Sequence, residues 1–417
     1  MDIDLVLALF AGALLVFAAF STVLQRASLP GPLLCLGYGV LIGPHALGLL
    51  RTEDFGAPPG TLLEQAARVT LAVGLAGVAL RLPHGYWRSG VRWIAVVIGL
   101  GMALMLVVAT GVLWWGLGAP FLVALLVGAI ITPTDPVVTT PVVTGSLAEE
   151  RIPGRVRHNL SAESGINDGL AYLFVLLPVL LLTEPDRAWH ELLATVLLRE
   201  VLGAAAFGAL SGYLLGRLFV LVREHGLMED SSYLAFVVPL ALVVLGAGGL
   251  LGTDSLLAVF VAVAVFGQVI PQRDEAQEDK VHDAVARLFL LPVFVLLGLA
   301  LPVAEWARLG WAPPVVLGAA LLLRRLVALW ALRPLLRGVH DRSETFFLSW
   351  FGPIGISALF YAALAERRTG NPDVLAHTTL AITLSVLIHG LSTAPLSAWL
   401  RHRERERARK RQEEIVP

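Results

Sequence analysis

The 417-residue chain is 57% hydrophobic and only 15% charged, with a formal net charge of −1. Soluble domains carry roughly a quarter charged residues, so the composition excludes a soluble domain and indicates a polytopic membrane protein. Near-neutral charge offers nothing to nucleic acid, and with Cys35 as the only cysteine an intramolecular disulfide or cysteine metal cluster is excluded.

The N-terminus, Met1-Asp2-Ile3-Asp4, is acidic where a secretory signal requires basic residues, so the first apolar run is expected to stay as a span. Because about 20 mostly apolar residues cross the hydrocarbon, spans fall roughly at 5–24, 30–50, 62–82, 93–115, 120–144, 160–182, 197–222, 232–251, 254–271, 284–304, 312–338, 343–366 and 373–400. The expectation is an all-α protein of about 13 transmembrane helices, a single transmembrane unit over residues 1–400 with a short basic tail at 401–417.

Charge sets the orientation. With the N-terminus outside, the inner loops carry Arg26; Arg81, Arg88 and Arg92; Arg151, Arg155 and Arg157; Arg217 and Arg223; Arg273, Lys280 and Arg287; and Arg333, Arg337 and Arg342. The outer loops hold only Arg51, Arg68, Arg187, Arg199, Arg308, Arg367 and Arg368, and the tail adds positive charge inside. The positive-inside rule therefore predicts N-terminus out, C-terminus cytoplasmic and an odd number of spans. Spans 1–6 and 8–13 also fit two inverted repeats with span 7 as connector, and transporters so built place their sites where matched helices break near the midplane.

Spans 5 and 12 are such partners. Span 5 contains Thr134-Asp135-Pro136 between Pro133 and Pro141, and span 12 contains Gly352-Pro353-Ile354-Gly355. Proline removes a backbone donor and drives the preceding residue out of helical geometry, so extended backbone is predicted at Asp135 and Gly352. The freed carbonyls and amides need partners from protein, water or a bound ion.

Span 6 opens with Glu163-Ser164-Gly165-Ile166-Asn167-Asp168. Helical spacing puts Glu163, Ser164, Asn167 and Asp168 on one broad face able to meet Asp135. A charge at membrane depth costs on the order of 3 kcal/mol on insertion scales, so an ion or proton site is the first reading and a buried structural salt-bridge network the second. Carboxylates with a hydroxyl, an amide oxygen and freed carbonyls suit a hard cation such as sodium. Desolvated and mutually repelling, such carboxylates also hold protons more tightly, so proton and cation compete for them. In span 11, Arg324 and Arg325 lie far from either end; at least one must find a carboxylate, with Glu163 the candidate, while snorkelling suits one of the two.

Thr-Asp-Pro-Val-Val at 134–138 followed by Glu-Ser-x-x-Asn-Asp at 163–168 resembles the monovalent cation/proton antiporter superfamily, specifically its electroneutral branch of NhaP-type sodium/proton antiporters. Leu291-Pro292-Val293-Phe294 in span 10, the arginine of span 11 and the Gly-Pro break of span 12 match in order. The resemblance implies a homodimer whose protomers have an interface domain and a moving six-helix core, here spans 4–6 and 11–13. It implies that Asp168 carries ion and proton, that Asp135 and Ser164 help bind the ion, and that the Thr134 carbonyl completes the shell. Asn167 stands where electrogenic relatives have a second aspartate, implying one proton per cation. Glu163, counted with the acids of the site, is implied to pair with an arginine of span 11; spacing to Arg333-Pro334 places it at Arg325, with Arg324 one residue away. Span 3, Leu71 to Leu82, departs from the pattern in lacking a central acid. The motifs leave the cation open between sodium, lithium and potassium.

Other features weigh less. Thr253-Asp254-Ser255 reads as the N-cap of span 9. His225, His282 and His340 are expected in inner loops, and His389 inside span 13 is expected to hydrogen-bond a neighbouring backbone. The tail alternates Arg and Glu and reads as a topological anchor with affinity for anionic lipid. Two lysines amid abundant Ala, Leu and Arg suit a bacterial protein of high GC content. The sequence thus predicts a cell-membrane antiporter, not an enzyme, with no cofactor beyond the transported cation and proton. A potassium/proton exchanger, a sodium-coupled organic solute symporter and a cation channel are the rivals.

Overall fold

The computed structural model describes residues 3–26, 30–135, 150, 152–227, 233–270, 288–336 and 341–415. Among them there is helix and no strand. The main helices are α1 (Ile3–Arg26), α2 (Gly31–Ile42), α3 (Pro59–Leu80), α4 (Tyr86–Ile94), α5 (Met102–Leu117), α6 (Phe121–Ile131), α7 (Gly154–Thr183), α8 (Gly203–Glu224), α9 (Tyr233–Leu250), α10 (Ser255–Val269), α11 (Leu288–Leu299), α12 (Val303–Leu309), α13 (Ala312–Leu332), α14 (Arg342–Trp350), α15 (Ile356–Thr369) and α16 (Pro372–Ile415). A π-helical run, Ala95–Gly101, joins α4 to α5, and another, Glu191–Leu202, leads into α8.

Seven helical stretches of the described residues are long and apolar enough to cross a membrane, eight if α11 and α12, bent by 60°, make one span. Four shorter apolar helices accompany them, Gly31–Ile42, Phe121–Ile131, Phe236–Leu250 and Ser255–Val269. The outside of this multi-pass membrane protein is apolar: Leu15, Trp115, Leu250 and Trp311 are more than two-thirds exposed, while Glu163, Arg324 and Arg325 are buried. That inversion suits lipid as the surrounding solvent, where charge belongs inside protein.

Several boundaries differ from expectation. The second apolar segment is helical only to Ile42, because Gly43-Pro44 ends the helix and a turn carries the chain to Leu50. Helix α7 starts at Gly154, earlier than expected, with Pro153 before its first turn. The last helix does not stop at the membrane boundary but continues through the charged tail to Ile415. There Arg407 pairs with Asp341 and Arg401 with Glu150, so part of the tail's positive charge is engaged by protein.

Packing follows the small residues. Helices α2 and α11 cross at Gly39 and Gly298: a Cβ on Gly39 would lie 2.1 Å from the Val295 carbonyl, and one on Gly298 would lie 2.2 Å from that of Leu36. Helix α8 meets α10 in the same way, with Gly212 against Ala262. In lipid, close backbone approach of this kind replaces the hydrophobic drive that lipid does not supply. Helix α10 also packs on α3 and α7, and α13 packs on α5. One large apolar cluster runs through most helices, and a smaller one of Trp93, Val156, Leu329, Phe347 and Phe351 ties α4, α7, α13 and α14 together. Gly39→Val is expected to lower the thermal-unfolding midpoint in detergent, in line with an overpacking cost of about 1–3 kcal/mol; an unchanged midpoint would contradict so close a crossing.

Candidate functional site: buried helix ends around Asp168

Helix α6 ends at Ile131 with Thr132 as its cap, and the chain runs on through Pro133 outside any helix to Asp135, the residue before Pro136. Pro136 and the rest of the fifth apolar segment lie outside the described residues. The twelfth segment divides as its Gly-Pro-Ile-Gly run requires: α14 ends at Trp350, residues 351–355 are non-helical and α15 starts at Ile356. The two breaks meet. The Asp135 amide donates to the Pro353 carbonyl at 2.8 Å.

The charges of these helix ends are matched from two sides. The Asp135 carboxylate accepts from the amides of Ile356 and, at 3.4 Å, Ser357, at the positive N-terminal end of α15. Arg324 of α13 spans the opposite ends, donating to the carbonyl of Thr132 at 2.5 Å and to that of Gly352 at 2.6 Å. A helix C-terminus carries about half a negative charge, so Arg324 faces two such ends and needs no carboxylate of its own. The Ile354 amide donates to the Ser385 hydroxyl of α16 at 2.8 Å, fixing the middle of the break.

Arg325 takes the carboxylate. It grips Glu163 of α7 through both terminal nitrogens, one at 2.9 Å, while its Nε donates to the Leu348 carbonyl at 2.7 Å. Both arginines are almost wholly buried, so the alternative that one of them snorkels is not what is found; carbonyls and Glu163 supply inside the protein what the interface would otherwise provide. Gly352 is required here, since a Cβ would lie 2.2 Å from the Arg325 side chain.

Around Asp168 the polar groups are closely ordered. Asn167 donates to the Thr134 hydroxyl at 2.9 Å, and that hydroxyl contacts the Ser164 hydroxyl at 3.1 Å. Asp168 is 1% exposed, and neither carboxylate oxygen takes a hydrogen bond. Asp135 lies within electrostatic reach, and the Ser357 hydroxyl sits beside Asp168 but outside hydrogen-bonding geometry. The Asn167 side-chain oxygen and the Ser357 hydroxyl are likewise buried without partners. Buried polar atoms are nearly always satisfied, so this set of oxygens suits a cation or a proton. The structure therefore brings together Thr134, Asp135, Glu163, Ser164, Asn167, Asp168, Arg324, Arg325, Gly352, Pro353 and Gly355.

Four participants escaped the sequence reading. Thr132 and Ser385 serve the breaks; Ser357 lies beside the carboxylate; and Tyr361 donates to the Asp168 backbone carbonyl at 2.5 Å. Ser357 and Tyr361 follow the Gly-Pro break by helical spacing, a usable signal once α15 is known to begin at Ile356. His389 contacts the Ser385 carbonyl at 3.0 Å, a neighbouring-backbone bond as expected, and Asp254 caps α10 by accepting from Leu256 and Leu257.

A family model described as sodium/hydrogen exchanger, transmembrane, matches residues 11–399. The chain belongs to the sodium/hydrogen exchanger family. It is similar to the Na(+)/H(+) antiporter of Saccharomyces cerevisiae, 32% identical over 345 residues that cover 79% of this chain and 34% of that protein. The Na(+)/H(+) antiporter of Schizosaccharomyces pombe is 29% identical over 434 residues, covering 96% of this chain and 92% of the relative. The chain thus spans about a third of the first relative's length and nearly all of the second's. Among solved structures, the sodium proton antiporter MjNhaP1 from Methanocaldococcus jannaschii at pH 8 superposes with a TM-score of 0.72 at 19% identity, over 96% of this chain and 99% of that one. The fold of this exchanger-family protein is therefore that of MjNhaP1.

The buried Glu163–Arg325 pair generates a stability test. Glu163→Gln strands a guanidinium, and breaking such a pair costs about 3–5 kcal/mol. The expected result is a large drop in detergent thermal stability, with part of it recovered in Glu163→Gln/Arg325→Met; equal losses in single and double variants would contradict the pairing.

Proposed function

We propose that this protein is a secondary antiporter exchanging a monovalent cation, sodium first, for a proton, one for one. Asp168 alternates between protonated and cation-bound forms, and only the occupied site crosses between the two facing states. The observation carrying this reading is the Asp168 carboxylate, buried with both oxygens unsatisfied beside other unpartnered oxygens, where the end of α6 meets the α14–α15 break. Ser164, Thr134 and Asp135 complete the cation's oxygen shell, with Asn167 holding Thr134 in place. Glu163, Arg324, Arg325, Gly352, Pro353 and Gly355 keep the helix ends positioned. Asn167, which cannot carry a proton, supports electroneutral stoichiometry.

Thirteen spans in two inverted repeats frame the site. Each of the thirteen apolar segments of the sequence contains helix among the described residues, and the fifth and twelfth meet through the Asp135 to Pro353 bond, as matched repeat elements would. Spans 4–6 and 11–13 form the moving core, and the remaining spans form an interface domain that dimerises within the lipid of a bacterial inner membrane. The positive-inside rule supports an outer N-terminus and a cytoplasmic C-terminus. In this setting exchange serves pH homeostasis.

The relatives quoted above bear sodium names, which favours sodium over potassium. For a sodium-coupled solute symporter, an organic substrate needs space beside the ion, and cavities of about 440 and 410 Å³ among the described residues are lined by neither Asp135, Ser164 nor Asp168.

The test is proton flux in proteoliposomes with an imposed pH gradient, read while sodium, lithium and potassium are added in turn. Wild type is expected to collapse the gradient with sodium, at a rate unchanged by clamping the voltage at zero. Asp168→Asn and Asp168→Ala are expected to insert normally and exchange nothing. Wild-type rates from either variant would overturn the carrier assignment.

A further inference from the structure

Apart from the central site, the structure holds a polar cavity of about 440 Å³. It lies between α3, the α9–α10 junction, α7 and the C-terminal half of α15, and Glu64, Arg68, Tyr172, Asp254, Arg367 and Arg368 line it. In the proposed orientation this is the outer end of the protein.

The basic groups of the cavity are largely engaged. Arg367 binds Glu64 through two nitrogens at 2.8 and 2.9 Å, and Arg68 donates to the Leu245 carbonyl and the Ser255 hydroxyl at 3.3 and 3.2 Å. Arg368 is on the exposed rim, where solvent screens it. The unsatisfied atoms are acidic. Asp254 is 6% exposed, and its cap of α10 uses Oδ1 alone, at 3.1 and 3.2 Å from the Leu256 and Leu257 amides. Its Oδ2 is buried without a partner, as is one carboxylate oxygen of Glu200, whose backbone carbonyl accepts from the Asp254 amide at 3.0 Å. A cap needs one oxygen; the second is left for something else.

A line of polar groups leads inward from this pair. The Tyr172 hydroxyl faces the Glu200 carboxylate, and Tyr172 stands one helical turn beyond Asp168 on α7. Tyr361 lies within electrostatic reach of Asp254, Tyr172 and Asp168, and its hydroxyl holds the Asp168 carbonyl.

We propose that Asp254 and Glu200 form a second docking station, where a hydrated monovalent cation pauses on the unpaired carboxylate oxygens before passing Tyr172 and Tyr361 to Asp168. The inference rests on the antiport reading and adds a face-specific step to it. Arg68, within electrostatic reach of Asp254, keeps the station weak, as a transit site requires.

The experiment uses Asp254→Asn, which retains the capping oxygen and removes the charge, and Glu200→Gln, which leaves the capping contacts untouched. Exchange is measured in right-side-out and inverted vesicles with sodium supplied at each face in turn. Either variant is expected to raise the half-saturating sodium concentration at the cavity's face about three- to tenfold, the range for a partly solvated charge. Half-saturation at the opposite face and the maximal rate stay at wild-type values. No change, or an equal change at both faces, would overturn the station. If Asp254→Asn fails to assemble, Glu200→Gln decides by the same criterion. Absence of exchange in wild type would count against the antiport reading itself.

Discussion

Helices α6 and α14 end, and α15 begins, among buried residues, leaving backbone carbonyls and amides that lipid cannot satisfy, and the rest of this structure depends on how they are answered. Arg324 binds the carbonyl ends contributed by Thr132 and Gly352, while Asp135 receives the amide end at Ile356 and Ser357. A cation meets the negative ends of the two half-helices and an anion meets the positive end, so each buried charge has a backbone partner of opposite sign. Without this matching, each buried charge would face several kcal/mol of desolvation penalty. The Glu163–Arg325 pair then locks α7 to α13, and Ser385 fixes the middle of the second break.

With the backbone so answered, the remaining unsatisfied groups gain meaning. Asp168 sits against the matched ends yet takes no hydrogen bond through its carboxylate, although the adjoining residues Asn167, Ser164 and Thr134 are bonded to one another. Such a group is costly when charged and empty, and cheaper when a proton or a cation occupies it. The proposed exchange rests on that difference: if only occupied forms pass through the closed intermediate, each crossing carries one ligand.

Much of this was legible in the sequence. Proline after Asp135 and glycine before Pro353 marked both breaks, and helical spacing placed Glu163, Ser164, Asn167 and Asp168 on one face. Spacing to Arg333-Pro334 pointed to Arg325 as the partner of Glu163, and the two pair; the role of Arg324 was not legible, because its partners are main-chain carbonyls and main-chain groups leave no mark in residue identity. Ser385 and Tyr361 were hidden for a related reason: each acts on the site through one backbone bond from a helix distant in sequence. Helix ends were misjudged where local chemistry outweighed hydropathy, as at Gly43-Pro44, or where charge pairing extended a helix past the apolar run, as in the tail to Ile415.

The central claim is that a cation and a proton compete for one carboxylate. The most direct measurement is calorimetric titration of the purified protein with sodium, repeated in buffers of different ionisation enthalpy. Competition at Asp168 requires the observed heat to vary with the buffer in proportion to one proton released for each sodium bound, at a pH where the carboxylate starts protonated. Heats independent of the buffer across the pH range in which sodium binds would contradict it.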